Sequence, residues 1–110
     1  GNGGGLINVG AGNDKVTAGN GGYTINTGSG NDTVSAGSGN DHITVQNANT
    51  LTYTYNGGLD YISGSLQALQ LSISPVATFD YSSGHLVATI DANNSLTVTG
   101  ISHSSQVTLI

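Results

Sequence analysis

The residues of this chain best placed to do chemistry are four aspartates that each close a glycine-rich turn. The segments are Gly10-Ala11-Gly12-Asn13-Asp14, Gly28-Ser29-Gly30-Asn31-Asp32, Gly37-Ser38-Gly39-Asn40-Asp41 and Asn56-Gly57-Gly58-Leu59-Asp60. A hard cation takes several oxygens at once, from carboxylates, carbonyls and water. Glycine turns expose backbone carbonyls, because no side chain obstructs a close approach. Carboxylates from two stacked turns would then supply the charge. A single Asn-Asp is equally at home in an ordinary solvent-facing turn, since both residue types favour turns. What sets Asp14 and Asp32 apart is their spacing of eighteen residues within matching Gly-x-Gly-Asn-Asp turns. Asp80 and Asp91 lack preceding glycine turns and read as turn or strand-end residues.

That spacing belongs to a larger pattern. Read in nines, Gly1 to Val45 gives GNGGGLINV, GAGNDKVTA, GNGGYTINT, GSGNDTVSA and GSGNDHITV, with Ile or Val always seventh. A fixed period of this kind signals a stacked-repeat architecture. Within each block a Gly/Asn turn leads into a short alternating segment, the period-2 pattern of a strand with one buried face. The pattern places Ile7 and Val9, Val16 and Ala18, Ile25 and Thr27, Val34 and Ala36, and Ile43 and Val45 inside. Strands this short cannot fold alone, so the expected fold is an all-β parallel β-roll with two blocks, eighteen residues, per coil. Asp14 and Asp32 then fall on one edge. Asp41 falls on the other, above Tyr23 and Gly5.

Beyond Val45 the pattern loosens. Asp60 lies nineteen residues after Asp41, which predicts one extra residue within Gln46 to Thr50 and makes 46–64 two degenerate blocks. From Ser65 the glycines thin out, and Leu66 to Ile73, Ala77 to Tyr81, His85 to Ile90, Ser95 to Gly100 and Gln106 to Ile110 read as strands. Pro75 ends the first of these, and Ser82-Ser83-Gly84 makes a turn. The expected organisation is a β-roll over 1–64 and a β-rich continuation or cap over 65–110, because solenoid ends need covering.

Composition narrows the partners. Charged residues are 6% of the chain, Lys15 is the sole cation, and all six acids are Asp, for a net charge of −5. This argues against nucleic acid or anionic lipid as partner and suits a cation. No apolar run reaches the ~20 residues of a membrane span. With no cysteine, a thin core needs metal or assembly as its staple. His42, His85 and His103 show no triad or metal spacing, and Ser65, Ser82 and Ser83 lack a nucleophile-elbow context. The expectation is that the chain is not an enzyme.

The blocks resemble the nonapeptide repeats of the RTX (hemolysin-type calcium-binding) family, Gly-Gly-x-Gly-x-Asp-x-U-x with U aliphatic. The resemblance covers Gly1 to Val45 and, more weakly, Asn56 to Gly64. Here Gly5 and Tyr23 stand where the family has Asp, and Val9, Ala18, Thr27 or Ala36 replaces its first glycine. The resemblance implies a parallel β-roll with Ca²⁺ in its turns, type I secretion, and folding in external calcium. It implies Gly10, Gly12, Asp14, Gly28, Gly30, Asp32, Gly37, Gly39, Asp41 and Asp60 as candidate calcium ligands. Two functions are consistent with it. One is a structural module of a secreted or cell-surface bacterial protein, of S-layer or adhesin type, with neighbouring copies or other surface components as partners. The other is the C-terminal folding and secretion module of a secreted protease, lipase or epimerase. The nearly uncharged Thr/Ser/Asn/Gly surface favours the first, because it suits dense packing against neighbours.

Overall fold

The computed structural model describes residues 5–73, 77–81, 85–101 and 103–110. Pro75 and the Ser82-Ser83-Gly84 turn lie outside the described residues. Ten strands hold 62% of the described residues, and the remainder is turns and connections with one short 3₁₀ turn at Ser104–Gln106: β1 (Gly5–Asn8), β2 (Lys15–Thr17), β3 (Tyr23–Thr27), β4 (Gly30–Ser35), β5 (His42–Thr54), β6 (Leu59–Ser72), β7 (Thr78–Asp80), β8 (Leu86–Asp91), β9 (Asn94–Val98) and β10 (Val107–Leu109). The chain is a parallel β-solenoid of about four turns.

Strand register shows the eighteen-residue coil directly. Ile7 pairs with Ile25 and Ile25 with Ile43 on one face. Val16 pairs with Val34 on the other. Successive blocks therefore alternate between two columns of stacked strands. One column runs Ile7, Ile25, Ile43, Ile62, Val98. The other runs Val16, Val34, Tyr53, Leu71, Leu109. Ile25, Ile43, Ile62, Val98, Val34, Tyr53 and Leu71 are all fully buried. Each such aliphatic side chain contributes about 1.5–3 kcal/mol when removed from water. Ile7 and Val9, in the first rung, are only partly covered.

The upper coils are built differently from the lower ones. β5 and β6 each run through a corner, so one strand serves both columns: His42 to Val45 pairs with β3, and Ala48 to Thr54 with β4. The register between β5 and β6 shifts from nineteen to eighteen between Val45 and Ala48, and that between β4 and β5 from eighteen to nineteen between Ala48 and Leu51. The extra residue thus enters within Gln46 to Thr50. Without glycine at this corner, the backbone ladder bends round it instead of breaking into a turn, and the end of the fifth block runs on into the first degenerate block as one strand, β5.

At the far end, β9 and β10 continue the two columns in parallel, paired to the two halves of β6. β8 and β7 then add to β9 in antiparallel order. The last forty-odd residues therefore both extend the solenoid and cap one of its columns. Leu86, Ala88, Leu96 and Ile101 fill the core beneath that cap.

Candidate metal centre

The two lower corners where the chain crosses from the first column to the second place one acid above another. Asp14 and Asp32 occupy the same position in consecutive coils, where the Asp14 amide donates to Asp32 Oδ1 at 3.0 Å. Their neighbours stack alike: the Asn31 amide donates to Asn13 Oδ1 at 2.9 Å, and the Thr50 amide to Asn31 Oδ1 at 3.2 Å. The turns press so closely that a Cβ on Gly28 would lie 2.5 Å from the Gly10 carbonyl oxygen. A Cβ on Gly30, which also has φ +106°, would lie 2.5 Å from that of Gly12. The carbonyls of the lower turn thus fill the space where the upper turn would carry side chains.

One oxygen of each carboxylate is left over. Asp14 Oδ2 and Asp32 Oδ2 are buried and have no hydrogen-bond partner. Burial raises the pKa of Asp32, and the negative charge of Asp14 adds to this, while the Asp14 amide opposes it. Buried polar groups are ordinarily paired, and an unpaired buried charge is costly. Above Asp32 the column changes character, since the next two rungs hold Leu51 and Leu69, both fully buried.

The opposite corner repeats the arrangement with different occupants. The Tyr23 amide donates to Asp41 Oδ1 at 2.9 Å, and the Asp41 amide to Asp60 Oδ1 at 2.8 Å. The one-residue insertion is absorbed within β5, so the 37–41 and 56–60 turns meet in register, with His42 paired to Tyr61. Below Asp41 stand Tyr23 and Gly5, as the spacing predicts. Gly37 and Gly39 again leave no room for a Cβ, which would meet the Gly19 and Asn20 carbonyls. Asp41 Oδ2 is buried without a partner. Asp60 is not in that state, because Tyr53 Oη donates to its Oδ2 at 2.8 Å. Tyr55 Oη likewise donates to the Gly58 carbonyl at 2.5 Å. Burial pushes Asp60 up to about 7, with a further rise from the neighbouring Asp41 carboxyl; the Asp41 amide and the Tyr53 hydroxyl hold it back. Burial also raises Asp41 and takes Tyr55 up to about 12.

The sequence pattern therefore locates all four acids on the correct edges but misses the two tyrosines. Their signal is present: Tyr53 and Tyr55 stand in inward columns that hold Val34 and Ala36 one coil below. The structure does not bring the histidines together. His42 lies on the outer face in edge-on contact with Tyr61, 5.3 Å between ring centroids, while His85 precedes β8 and His103 precedes the 3₁₀ turn. Among the described residues no three or more His, Cys, Asp or Glu side chains converge on one point. A cation at these corners would therefore need backbone carbonyls beside two carboxylates. The Asp14–Asp32 corner offers that donor set: two buried carboxylate oxygens without partners, a dense layer of carbonyls, and a hard-oxygen chemistry suited to Ca²⁺. Comparison of the chain with family models, curated proteins and solved structures finds no match.

Proposed function

We infer that this chain is a calcium-organised structural module of RTX type, not an enzyme, and that it belongs to a secreted or cell-surface bacterial protein of S-layer or adhesin kind. The observation that carries this reading is the pair of buried, partnerless oxygens, Asp14 Oδ2 and Asp32 Oδ2, in turns that meet in register. Calcium supplies the positive charge these oxygens lack. The residues that hold it are Asp14 and Asp32, with carbonyls of the Gly10–Gly12 and Gly28–Gly30 turns. Asp41, with Gly37 and Gly39, is a second, one-acid position.

In such a module the ion is part of the fold. Without it, the stacked carboxylates repel and the glycine turns have high conformational entropy to lose. Binding and folding are therefore coupled, and external calcium sets when the lower coils form. The exposed outer faces carry Thr, Ser, Asn and Gln with few charges, which suits contact with neighbouring copies or other surface components. Calcium titration followed by far-UV circular dichroism tests the reading. The β signal should rise to saturation with calcium and fall again on chelation. An unchanged spectrum at saturating calcium overturns it.

A further inference from the structure

The two stacked acid pairs look alike in sequence, yet their acceptor oxygens are not in the same state. In both, the upper acid takes the amide of the lower acid on Oδ1. At the first corner Oδ2 then has no partner; at the second, Asp60 Oδ2 receives the Tyr53 hydroxyl at 2.8 Å. The neighbouring carbonyl of Gly58 receives the Tyr55 hydroxyl. A carboxylate oxygen and a turn carbonyl are the two kinds of acceptor a calcium ion needs. Here both are occupied by hydroxyl protons from within the core. The donors come from the inward columns, where the coil below has Val34 and Ala36 and so has no hydroxyl to offer.

We propose that Tyr53 and Tyr55 replace a cation in the 56–60 turn, so that Asp60 is a metal-independent latch and not a calcium ligand. Tyr53 is fully buried and Tyr55 nearly so, which fixes both hydroxyls against water. The Gly58 amide is held too, by Asn94 Oδ1 at 2.9 Å, which ties the turn to the capping strands. The upper coils, with Leu51, Tyr53, Ile62, Leu69, Leu71, Leu86 and Leu96 fully buried around them, then keep their structure without calcium. The coils from β1 to β4 depend on the ion. Calcium would thus order the lower coils on a pre-folded upper platform.

This rests on the calcium reading of the Asp14–Asp32 corner, and its test separates the two. Calcium binding by the full chain is measured calorimetrically for the parent, Asp32→Asn and Asp60→Asn; thermal unfolding is measured in chelator for the parent, Tyr53→Phe and Tyr55→Phe. Asp60→Asn should bind as many ions as the parent, with affinity within about twofold. Asp32→Asn should lose about tenfold or more, because ligand charge sets affinity at such sites. In chelator, the parent should show a cooperative transition that Tyr53→Phe and Tyr55→Phe move to lower temperature. Loss of a bound ion in Asp60→Asn overturns the proposal. So does a parent with no transition in chelator, or phenylalanine variants that melt like the parent. Should the parent bind no calcium at all, the proposed function fails, while the chelator melts, which need no metal, still decide the latch. Tyr53→Phe keeps the ring and its packing, so the outcome does not hang on the folding of Asp60→Asn.

Discussion

Replacing Asp32 by Asn should change the stability of this chain in opposite directions with and without calcium. Asn keeps an Oδ1 that can still accept the Asp14 amide, so the 3.0 Å bond survives. What disappears is the charge on a buried carboxylate whose Oδ2 has no partner, beside a second such oxygen on Asp14. Relieving an unsatisfied buried group is worth about 1–3 kcal/mol, and the Asn amide is a donor within the same corner. In chelator the variant should therefore favour folding of the lower coils more than the parent does, by about 1–2 kcal/mol, read as a higher β signal before the melt. In calcium the order reverses. A ligand at a hundred times its Kd stabilises the folded form by about 2.7 kcal/mol, and only the parent retains a charge pair to bind it. Melting curves by circular dichroism, at a series of fixed calcium concentrations from chelator to millimolar, should cross. A variant less stable than the parent at every concentration would show that Asp32 is an ordinary turn acid and would refute the argument.

Three further outcomes follow from the same geometry. Thr27 lies fully inside the column between Val9 and Val45, with a hydroxyl that finds no partner, so Thr27→Val should raise stability by about 1 kcal/mol in urea unfolding. Gly30→Ala should lower stability by about 2 kcal/mol or more, from its positive φ and the Gly12 carbonyl beneath it; Gly10→Ala, with open space around a new Cβ, should stay within about 0.5 kcal/mol, both read by the same denaturation. The pH dependence without calcium has a definite sign. Burial raises Asp32, Asp41 and Asp60 above their ordinary 3.8, so the folded chain binds protons more tightly than the unfolded one. That stability is complete below pH 3.8 and is lost as pH rises, with the Asp60 share gone once pH passes about 7. Asp91, held low by the Asn93 amide and the Asn94 side chain, works in the other direction but from the surface. Midpoints in chelator should fall from pH 5 to pH 8; saturating calcium should remove or reverse that slope.

The coil itself was legible because glycine spacing and branched aliphatics repeat without slippage through Val45, and strand register follows from that arithmetic. The nineteen-residue interval from Asp41 to Asp60 correctly located an insertion before the structure showed where the ladder absorbs it. What sequence could not reveal is strand continuity at that corner: alternation around Gln46 to Thr50 is compatible with a turn or with a bent strand, and only pairing to β4 and β6 decides. The antiparallel order of β7 and β8 was hidden for a related reason, since side-chain alternation does not encode strand direction. Tyr53 and Tyr55 counted as apolar residues in an inward column, which they are. Their hydroxyls matter only because the coil carries them to the 56–60 turn.

The single inserted residue in β5 has a consequence for how the chain finds its fold. A solenoid of identical rungs can dock one whole coil out of step at little energetic cost, because every aliphatic still meets an aliphatic. Here the offset between neighbouring rungs changes from eighteen to nineteen and back within a few residues, so a copy of the lower ladder shifted by one coil cannot pair through the Gln46 to Thr50 corner. The insertion acts as a key that only one alignment fits, and it gives a low-complexity, self-similar chain one distinguishable ground state.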